Sequence, residues 1–576
     1  MGTSTQSTQE RQQVADVRDR GRAQVVIVGG GINGIATFRD LALQGVDVVL
    51  IERDDFASGA SAASSHMVHG GIRYLENGEF RLVHESVTER NDLLKTAPHF
   101  VKPLRTTIPI YSFWSGLLNA PMQFFFRRKS VKQTERGALL IKVGLVLYDV
   151  FASAGRSTPW HRFRGRKASL AELPRLNKDL KYTATYFDAS MHDPERLALD
   201  VLNDGLEANR RARALNYVEA IGRTDNGVVV RDRETGTEFT IAADVIVNAS
   251  GPWTDLTNEA FGEPTGFMGG TKGSHIVLDN PELSEATGGR EIFFEHSDGR
   301  VVLIYPLKGR VMVGTTDIPA DPREPARCTE EEVDYFFELV ASVFPDIPVS
   351  RDQIVYRFSG IRPLPASDAS RAGQISRDYR VETSGKAGDD RTPVVSLVGG
   401  KWTTFRALGE SLGDVVLDML SVPRVVKTKG RAIGGGRDYP LSDRSREVWL
   451  RSRVPGAGDR GDILLQRYGT RAERVWDLIE DDHDEPVGTN ALSTRELLWM
   501  VEREHVVHLT DVLFRRTSIA FTGDATRAEL EAISTALAPL LGWDDERRAE
   551  EVRRTATTLR EEHGVDVDSE DMAGAR

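Results

Sequence analysis

The sequence predicts an α/β protein with a Rossmann-type dinucleotide-binding domain, a substrate domain on a mixed or antiparallel sheet, and a C-terminal helical domain. Three observations predict this fold class. The apolar run VVIV at residues 25–28 leads into a glycine-rich turn, as a buried parallel strand does. Segments between residues 272 and 317 alternate or run apolar like antiparallel strands. From about Lys429 the segments have helical spacing, and no further strand-to-glycine turn follows.

The turn after the first strand fits the dinucleotide pattern G-x-G-x-x-G. Its glycines Gly29, Gly31 and Gly34 allow a tight turn, close approach of a pyrophosphate, and close packing of the following helix. A second strand at residues 48–51 ends at Glu52, where a carboxylate suits an adenosine ribose. The unit predicts dinucleotide binding, and the alternative is a glycine-rich turn in another α/β fold.

Two helices are predicted further along the chain. Residues 80–100 have an apolar stripe at helical spacing, with Glu89 and Arg90 facing water. Asp193 followed by Pro194 predicts a helix that starts with Asp193 as its N-cap and Pro194 in the first turn.

The composition excludes several classes of protein. A chain of 576 residues predicts two or three domains, and a formal charge of −12 argues against nucleic-acid binding, which needs a basic face. Cys328 is the only cysteine, which excludes an intramolecular disulfide, a cysteine zinc site and an iron–sulfur cluster and fits a reducing compartment. No metal site is predicted. The polar residues 1–22 lack the apolar core of a signal peptide and are predicted to be a disordered tail.

The region 106–136 has an unusual composition. Residues 106–126 carry no charge and end in the basic triplet RRK, and a second apolar segment follows at residues 137–155. Internal prolines and polar residues argue against spanning helices. Aromatic side chains beside a basic cluster suit the lipid headgroup layer, so this region is predicted to contact a membrane surface. The alternative is a loop and a helix folded over the core.

Two further strand-to-turn segments resemble the first one. They are ADVIVNASGPW at residues 243–253 and VVSLVGGKWTTF at residues 394–405. Because ligands gather at the carboxyl ends of strands in a doubly wound sheet, the three turns are expected to meet at one cofactor.

Several polar side chains stand beside glycines and are candidates for an anion-binding site. They are Arg73, Tyr74, His275, Arg362 and Lys401. Arginine binds phosphate through two parallel hydrogen bonds, and lysine binds it as a point charge. Taken singly, each has an ordinary alternative as a surface charge, a satisfied strand histidine or a lysine near a helix start. Lys401 favours the anion site, because a cation at a helix N-terminus is electrostatically misplaced unless an anion lies nearby.

With these residues in place, the sequence closely resembles the FAD-dependent glycerol-3-phosphate dehydrogenases of the aerobic, membrane-associated type. The matching stretches are VVIVGGGINGIA, ASSHMVHGGIRYLENGEFRLVHE, VNASGPW, KGSHIV, VGTTD, SGIRPLP and VGGKWTTFR, in the family's order over about residues 24 to 410. The helical C-terminal part, with LLWMVEREHVVHLTDVLFRRTSIAF, also resembles the family. The resemblance implies a glycine-oxidase-like architecture.

The resemblance also implies the ligands. FAD would bind through Gly29, Gly31, Gly34, Glu52, Ser61, Ser64, Ser65, Ala249, Gly251, Lys401, Thr403 and Thr404. The substrate sn-glycerol 3-phosphate, oxidised at C2 to dihydroxyacetone phosphate, would contact Arg73, Tyr74, His275, Arg362 and Lys401. Electrons would pass to a quinone, with the enzyme peripherally bound to the cytoplasmic face of the cell membrane as a homodimer.

The residue types suit that reaction. A neutral histidine near pH 7 can accept the proton of the C2 hydroxyl, so His275 is the expected base. Arg362 would stabilise the developing alkoxide. Arg73 and Lys401 would hold the phosphate, with Tyr74 as a donor. An oxidase that passes electrons to oxygen and releases peroxide is the alternative, and a non-catalytic flavin-binding or membrane-scaffold protein is a third reading.

The expected domain boundaries follow from these segments. A discontinuous FAD-binding part covers about residues 23–100, 190–255 and 355–420. The substrate part covers about residues 101–189 and 256–354, so that both lie within 23–428. The C-terminal helical domain covers residues 429–576.

Overall fold

The computed structural model describes residues 11–71, 80–112, 141–142, 144–146, 148–149, 159–296, 300–366, 378–384, 391–480 and 483–568. Arg73, Tyr74 and residues 113–140 lie outside the described residues, so the predictions made for them stay predictions.

A six-stranded sheet carries the predicted dinucleotide turn and confirms the Rossmann-type part of the fold. In spatial order its strands are Arg380–Ser384, Val394–Val398, Val245–Asn248, Val25–Val28, Val48–Ile51 and Arg213–Leu215. The first is antiparallel to its neighbour and the other five run parallel. All four residues of Val25–Val28 are buried, as their uninterrupted apolar sequence predicts.

Each face of this sheet is covered. The helices Ile32–Leu43, Pro194–Ala208 and Phe405–Leu420 supply residues to the apolar core on one face. The other face packs against a three-stranded antiparallel meander, formed by Val218–Thr224, Gly227–Asp232 and Glu238–Ala242. The parallel strands therefore end at one edge, where the predicted turns meet.

The prediction of a disordered tail over residues 1–22 is wrong for its described portion. Gln12–Arg20 is a helix, and Val14 and Val17, three residues apart, are buried against the core beside the meander. Arg11 fixes the start of the helix by donating hydrogen bonds to the side-chain and main-chain oxygens of Asn216, at 2.7 and 2.5 Å. In a polar segment, two valines and one arginine are too few to predict a packed helix from the sequence.

A ten-stranded mixed sheet forms the second layer of the molecule. Eight of its strands follow in spatial order: Ile318–Pro319, Met268–Leu278, Arg310–Gly314, Val301–Leu307, Glu291–Glu295, Val101–Ile110, Tyr182–Met191 and Met67–Val68. Ile354–Pro365 also pairs with Met268–Leu278, and Arg162–Gly165 with Tyr182–Met191. The helices Arg166–Glu172, Pro281–Ala286 and Glu330–Val343 cover one face.

Two sequence predictions change in this sheet. The strand Ile354–Pro365 belongs to the substrate sheet, so a FAD-binding part that begins at 355 takes in a strand of the other sheet. Its apolar and glycine-rich sequence does not reveal which partner it pairs with. The beginning of the uncharged region, up to Ile110, lies in the strand Val101–Ile110, where Thr106 and Thr107 are buried.

The helix Phe80–Thr96 is present, but two of its charged residues are buried instead of facing water. Glu89 pairs with Arg406 at 2.6 Å, and Arg90 pairs with Asp188 at 3.0 Å. The carboxylates and guanidinium groups that satisfy them come from distant parts of the chain, which helical spacing cannot anticipate. Asp193 precedes the helix Pro194–Ala208 as predicted, but its carboxylate binds Lys308 at 2.7 Å instead of capping the helix.

The C-terminal region is helical, as predicted. Its helices are Asp443–Arg453, Asp459–Tyr468, Ala472–Glu480, Thr494–Arg503, Leu509–Asp511, Arg527–Leu541 and Asp545–His563, with a π-helical turn at Val512–Arg516 and a short pair of strands at Pro486–Val487 and Leu492–Ser493. This region packs against the free face of the ten-stranded sheet. Within the ranges that the structure describes, none of the helices combines the length and apolarity needed to cross a bilayer.

Candidate functional site

The glycine turn lies at the carboxyl edge of the six-stranded sheet. Gly29 has a φ of +113°, and a Cβ there would lie 2.6 Å from the carbonyl oxygen of Ala249. A Cβ on Gly34 would lie 2.0 Å from the carbonyl oxygen of Gly29, so the helix can pack against the turn only with glycine at this position. Gly31 precedes the helix Ile32–Leu43 and faces a large cavity.

This cavity has a volume of about 950 Å³ and is the meeting point of the predicted turns. Gly29 and Gly31, the turn at Ala249–Gly251, and Lys401 line it. Parallel strands bring their carboxyl ends together, so segments more than two hundred residues apart form one wall. The expectation that the three turns meet at one site is confirmed.

Glu52 follows the second strand and also lines the cavity. Its carboxylate accepts hydrogen bonds from the main-chain N–H of Gly30, at 2.7 Å, and of Asp54, at 3.0 Å. Burial and the nearby charge of Asp54 raise the pKa of Glu52 to about 7, although these hydrogen bonds oppose the shift. A carboxylate with two N–H donors keeps acceptor capacity for the hydroxyls of a ribose.

The segment Ser61–Ser65 connects the dinucleotide turn to the substrate sheet. Ser61 lines the cavity, and its hydroxyl accepts a hydrogen bond of 2.9 Å from the N–H of Ile32, the first residue of the helix. The indole of Trp402 donates to the carbonyl of Ser61 at 2.9 Å. Ser64 accepts a bond of 3.3 Å from the N–H of His66. These bonds fix the segment beside the glycine turn.

Lys401 follows two glycines in the left-handed region, Gly399 and Gly400, with φ values of +90° and +116°. A Cβ on Gly400 would lie 2.4 Å from Nδ2 of Asn33, so this turn lies directly against the first glycine turn. The helix starts at Phe405, after Thr403 and Thr404, which are buried. Lys401 thus precedes a helix, as predicted, and lines the cavity.

His275 is buried in the substrate sheet, with 2% of its surface exposed. Its Nε2 lies 2.8 Å from the hydroxyl oxygen of Ser65, and its ring stacks on Phe358 at a centroid distance of 4.6 Å. A Cβ on Gly314 would lie 2.2 Å from its ring, so the neighbouring strand must carry glycine there. Burial holds the pKa of His275 well below its usual value, and the charge of Arg362 lowers it further.

Arg362 lies on the strand Ile354–Pro365, on the same face as Phe358, and its guanidinium group is partly exposed. It pairs with Asp317 at 3.0 Å, and it donates to the hydroxyl of Thr315 at 3.0 Å and the carbonyl of Thr316 at 2.9 Å. A Cβ on Gly273 would lie 2.2 Å from this group. Three acceptors therefore hold the guanidinium plane in one orientation.

The predicted site residues fall into three groups. Gly29, Gly31, Glu52, Ser61, Ala249, Gly251 and Lys401 line the cavity. Gly34, Ser64, Ser65, Thr403, Thr404 and Arg362 lie on the segments that form its walls, and His275 contacts two of those segments through Ser65 and Phe358. Arg73 and Tyr74 lie outside the described residues, so the structure tests neither of them.

Sequence reasoning missed the contribution of the C-terminal region to the cavity. Phe514, Arg515, Phe521 and His563 line it, opposite Tyr356 of the substrate sheet. The only sequence signal was the adjacent pair of arginines in VLFRRTS, which helical spacing alone does not connect with a ligand.

The residues present fit a dinucleotide. The glycine turn admits close approach of a pyrophosphate, and Glu52 lines the same cavity with acceptors suited to the hydroxyls of a ribose. Among the described residues, Oδ1 of Asn33 is buried at the cavity wall without a hydrogen-bond partner, which leaves a polar atom for a ligand to satisfy. The described ranges hold no cluster of histidine, cysteine and acidic side chains suited to a metal ion.

Comparison with known proteins places this architecture in a family. Residues 24–406 match the family model described as FAD dependent oxidoreductase, and residues 426–548 match the model described as C-terminal domain of alpha-glycerophosphate oxidase. The chain is 34% identical over 565 residues to a glycerol-3-phosphate dehydrogenase of Synechocystis sp., covering 92% of this chain and 95% of that protein. It is 27% identical over 562 residues to the aerobic glycerol-3-phosphate dehydrogenase of Bacillus subtilis, covering 94% and 95%.

Two solved structures have a similar fold. The glycerol-3-phosphate dehydrogenase of Bacillus halodurans, solved in complex with FAD, superposes with a TM-score of 0.73 at 25% identity, covering 96% of this chain and 98% of that one. The L-alpha-glycerophosphate oxidase of Mycoplasma pneumoniae with bound FAD gives a TM-score of 0.50 at 17% identity, covering 71% and 98%. The second likeness concerns the fold alone.

Proposed function

Because this chain belongs to the FAD-dependent glycerol-3-phosphate dehydrogenase family, we propose that it oxidises sn-glycerol 3-phosphate to dihydroxyacetone phosphate and passes the electrons to a quinone. FAD is its cofactor. The observation that carries the proposal is the hydrogen bond between Ser65 and His275, beside the fixed guanidinium group of Arg362 and next to the dinucleotide cavity. This arrangement joins a base, a cation and a cofactor site.

The cofactor contacts follow from the walls of the cavity. The bound flavin supplies the acceptor for the hydride that leaves C2 of the substrate. Gly29, Gly31 and Gly34 would allow the diphosphate of FAD to approach the backbone, and Glu52 would accept hydrogen bonds from its ribose. The remaining contacts would come from three segments, at residues 61–65, 249–251 and 401–404. Those segments contribute Ser61, Ser64, Ser65, Ala249, Gly251, Lys401, Thr403 and Thr404.

His275 would accept the proton of the C2 hydroxyl at Nε2. Its depressed pKa keeps the ring neutral at pH 7, as a base requires. Stacking on Phe358 and the contact with Gly314 leave the ring a single orientation. Ser65 is more exposed than His275, so its hydroxyl is the member of the pair that the substrate can reach. The transfer would pass through Ser65, which would accept the proton of the C2 hydroxyl and donate its own proton to Nε2 of His275.

Arg362 would stabilise the negative charge that develops on the C2 oxygen, because three acceptors already fix its plane. Lys401, on the turn that lines the cavity, would attract the phosphate of the substrate by its positive charge. Arg73 would bind the same phosphate, with Tyr74 as a further donor. We assign these two from the sequence resemblance alone.

The electron acceptor has two candidates. The relatives in Synechocystis and Bacillus subtilis are dehydrogenases, which favours a quinone. The match of residues 426–548 to a domain described from an oxidase favours oxygen instead, with release of hydrogen peroxide. We propose the quinone because the aromatic and basic composition of residues 111–129 suits a membrane surface, where quinones are dissolved.

Membrane attachment and assembly complete the proposal. The enzyme would lie in the cytoplasm, bound peripherally to the inner face of the cell membrane, and would form a homodimer. Deletion of residues 113–129 should abolish flotation with liposomes that contain anionic lipid, and unchanged flotation would refute this attachment. Light scattering after size-exclusion chromatography measures the assembly state.

An anaerobic titration of the purified holoenzyme with glycerol 3-phosphate tests the reaction. We expect bleaching of the oxidised flavin absorbance at one equivalent of substrate, and no bleaching with glycerol, which lacks the phosphate. If the flavin is not bleached, glycerol 3-phosphate is not the substrate. The reduced enzyme is then mixed with a soluble quinone or with oxygen, and rapid stoichiometric peroxide with slow quinone reduction would assign the oxidase activity instead.

A further inference from the structure

Asp55 is held by two consecutive arginines of the C-terminal region. The guanidinium groups of Arg515 and Arg516 both donate to Oδ2 of Asp55, and Arg516 also donates to Oδ1 at 2.9 Å. The side chains of Asp55 and Arg516 have no exposed surface. Burial alone would raise the pKa of Asp55, but the two arginines hold it well below its usual range. The carboxylate is therefore charged and fully paired.

The loop that carries Asp55 also forms part of the cofactor site. It begins at Glu52, whose carboxylate accepts the N–H of Gly30, and continues to Ala57, whose N–H donates to the carbonyl of Gly30 at 2.9 Å. Phe56 lies against the same turn, since a Cβ on Gly30 would be 2.8 Å from its ring. A displacement of Asp55 would therefore move the glycine turn and Glu52 together.

A second connection runs through the segment after the strand Arg213–Leu215. Asn216 donates to Oδ1 of Asp55 at 3.1 Å and to the carbonyl of His505 at 2.8 Å. Tyr217 lines the cavity, and its hydroxyl donates to Asp511 at 2.5 Å. Its main-chain N–H donates to the carbonyl of Asp54 at 3.0 Å. Both segments that flank Glu52 are thus tied to the C-terminal region.

We infer that the C-terminal region positions the FAD site through the cluster Asp55–Arg515–Arg516, which we call the arginine clamp. Arg515 and Arg516 are the last residues of the π-helical turn Val512–Arg516, a wider turn than an α-helix. In this turn both guanidinium groups reach the same carboxylate. Arg516 is a positioning residue, because it acts on the cofactor only through Asp55. Arg515 also faces the cavity.

The chemistry of the clamp explains why it would hold the loop firmly. Arg516 additionally donates to the carbonyl of Glu504 at 2.9 and 2.5 Å, and Arg515 to Asp511 at 2.8 Å, so the paired charges leave few polar atoms unsatisfied. A buried, paired charge is costly to break, because the partner that remains is left desolvated. The loop can leave its position only by opening the whole cluster.

The test measures FAD binding and needs no turnover, so its failure is distinct from failure of the proposed reaction. Full-length Asp55→Asn, Arg515→Met and Arg516→Met are purified, and the dissociation constant for FAD is measured by quenching of flavin fluorescence on added apoprotein. We expect each variant to bind FAD about tenfold more weakly or worse than the parent. Asp55→Asn leaves two buried arginines without their shared carboxylate, and each arginine-to-methionine variant leaves Asp55 with a single arginine. Arg516→Lys keeps the charge without the planar fork and should recover only part of the affinity.

Arg471→Met is the matched control. Arg471 joins the C-terminal region to the helix Pro194–Ala208 by pairing with Asp200 at 2.9 Å and Asp204 at 3.0 Å, with 13% of its side chain exposed. None of these three residues lines the cavity wall that the structure describes. The control should lower the thermal midpoint as the clamp variants do, yet bind FAD within about twofold of the parent.

Two outcomes overturn the inference. Clamp variants that bind FAD within about twofold of the parent would mean that the cluster only joins the domains. Equal loss of FAD affinity in Arg471→Met would mean that general destabilisation, not the position of the loop, is responsible. If Arg516→Met yields no folded protein, Asp55→Asn decides. Asn has nearly the volume of Asp, but it carries no charge and can accept from the arginines only at Oδ1.

Discussion

Two charged clusters lie beside the cavity that the glycine turns line, and they differ in how deeply their members are buried. In the arginine clamp, the side chains of Asp55 and Arg516 are entirely buried. In the substrate sheet, Arg362 and Asp317 each retain 23% of their side-chain surface. His275, beside them, has an Nδ1 without a hydrogen-bond partner among the described residues.

This difference separates positioning from chemistry. A buried cluster whose charges are paired with one another resists displacement, because each charge would lose its partner. A cluster with exposed surface and unused hydrogen-bonding capacity can bind a substrate and change its charge during reaction. Changes in the clamp should therefore alter stability and FAD retention, and changes in the substrate sheet should alter turnover.

The largest effect is expected from Arg516→Met. Removing one partner of a buried ion pair should lower the free energy of unfolding by about 3–5 kcal/mol, because Asp55 is left buried with a single arginine. Urea unfolding of the full chain, followed by tryptophan fluorescence, measures the loss. A decrease below about 1 kcal/mol would contradict a fully desolvated clamp.

His275→Gln should act on turnover instead. Loss of the base is expected to lower kcat by about 10²–10⁴-fold, while the FAD content of the purified protein stays at the level of the parent. Steady-state kinetics with a soluble quinone, together with the flavin absorbance, provide both values. A kcat within about threefold of the parent would exclude His275 as the base.

His505, a buried histidine beside the clamp, should make stability depend on pH. Burial lowers the pKa of His505, which stacks edge-on against Phe56, to about 4. An unfolded histidine binds a proton at about pH 6.5, so stability is lost as the pH falls below that value and the loss ends near pH 4. His505→Asn should remove about 1–2 kcal/mol of the decrease in stability between pH 6.5 and 5, and urea unfolding at the two pH values measures it. An unchanged decrease would show that His505 does not remain neutral in the folded protein.

The smallest effect is expected from an exposed pair of the same chemistry. Arg231 and Glu238 face each other across the meander at 2.7 Å, with nearly half of each side chain exposed. Arg231→Ala should change the free energy of unfolding by less than about 0.5 kcal/mol, because water screens the pair. A loss comparable to that of Arg516→Met would mean that burial is not what distinguishes the clamp.

The sequence alone determined the dinucleotide turn, the fold class and the membership of the glycine turns in one site. Gly29, Gly34 and the apolar run at residues 25–28 are local signals, because the steric demands that they meet arise within one strand, turn and helix. Segments near the carboxyl ends of parallel strands must come together in any doubly wound sheet. The meeting of the three turns at one cavity was therefore predictable even across hundreds of residues.

Only the tertiary structure decided which charges are buried. Glu89 and Arg90 have helical spacing that favours the solvent side, yet partners supplied by distant segments make their burial possible. The helix Gln12–Arg20 and the placement of Ile354–Pro365 in the substrate sheet likewise depend on surfaces outside their own segments.

The arginine clamp is the extreme case. Asp55 and Arg516 stand 461 positions apart, and nothing in the sequence near either residue requires the other. Burying a charge is favourable only when its partner is already in place, so the pairing depends on how the two regions dock. The sequence determined the glycine turns that line the cavity, and the docking of the C-terminal region decided which buried charges are paired beside it.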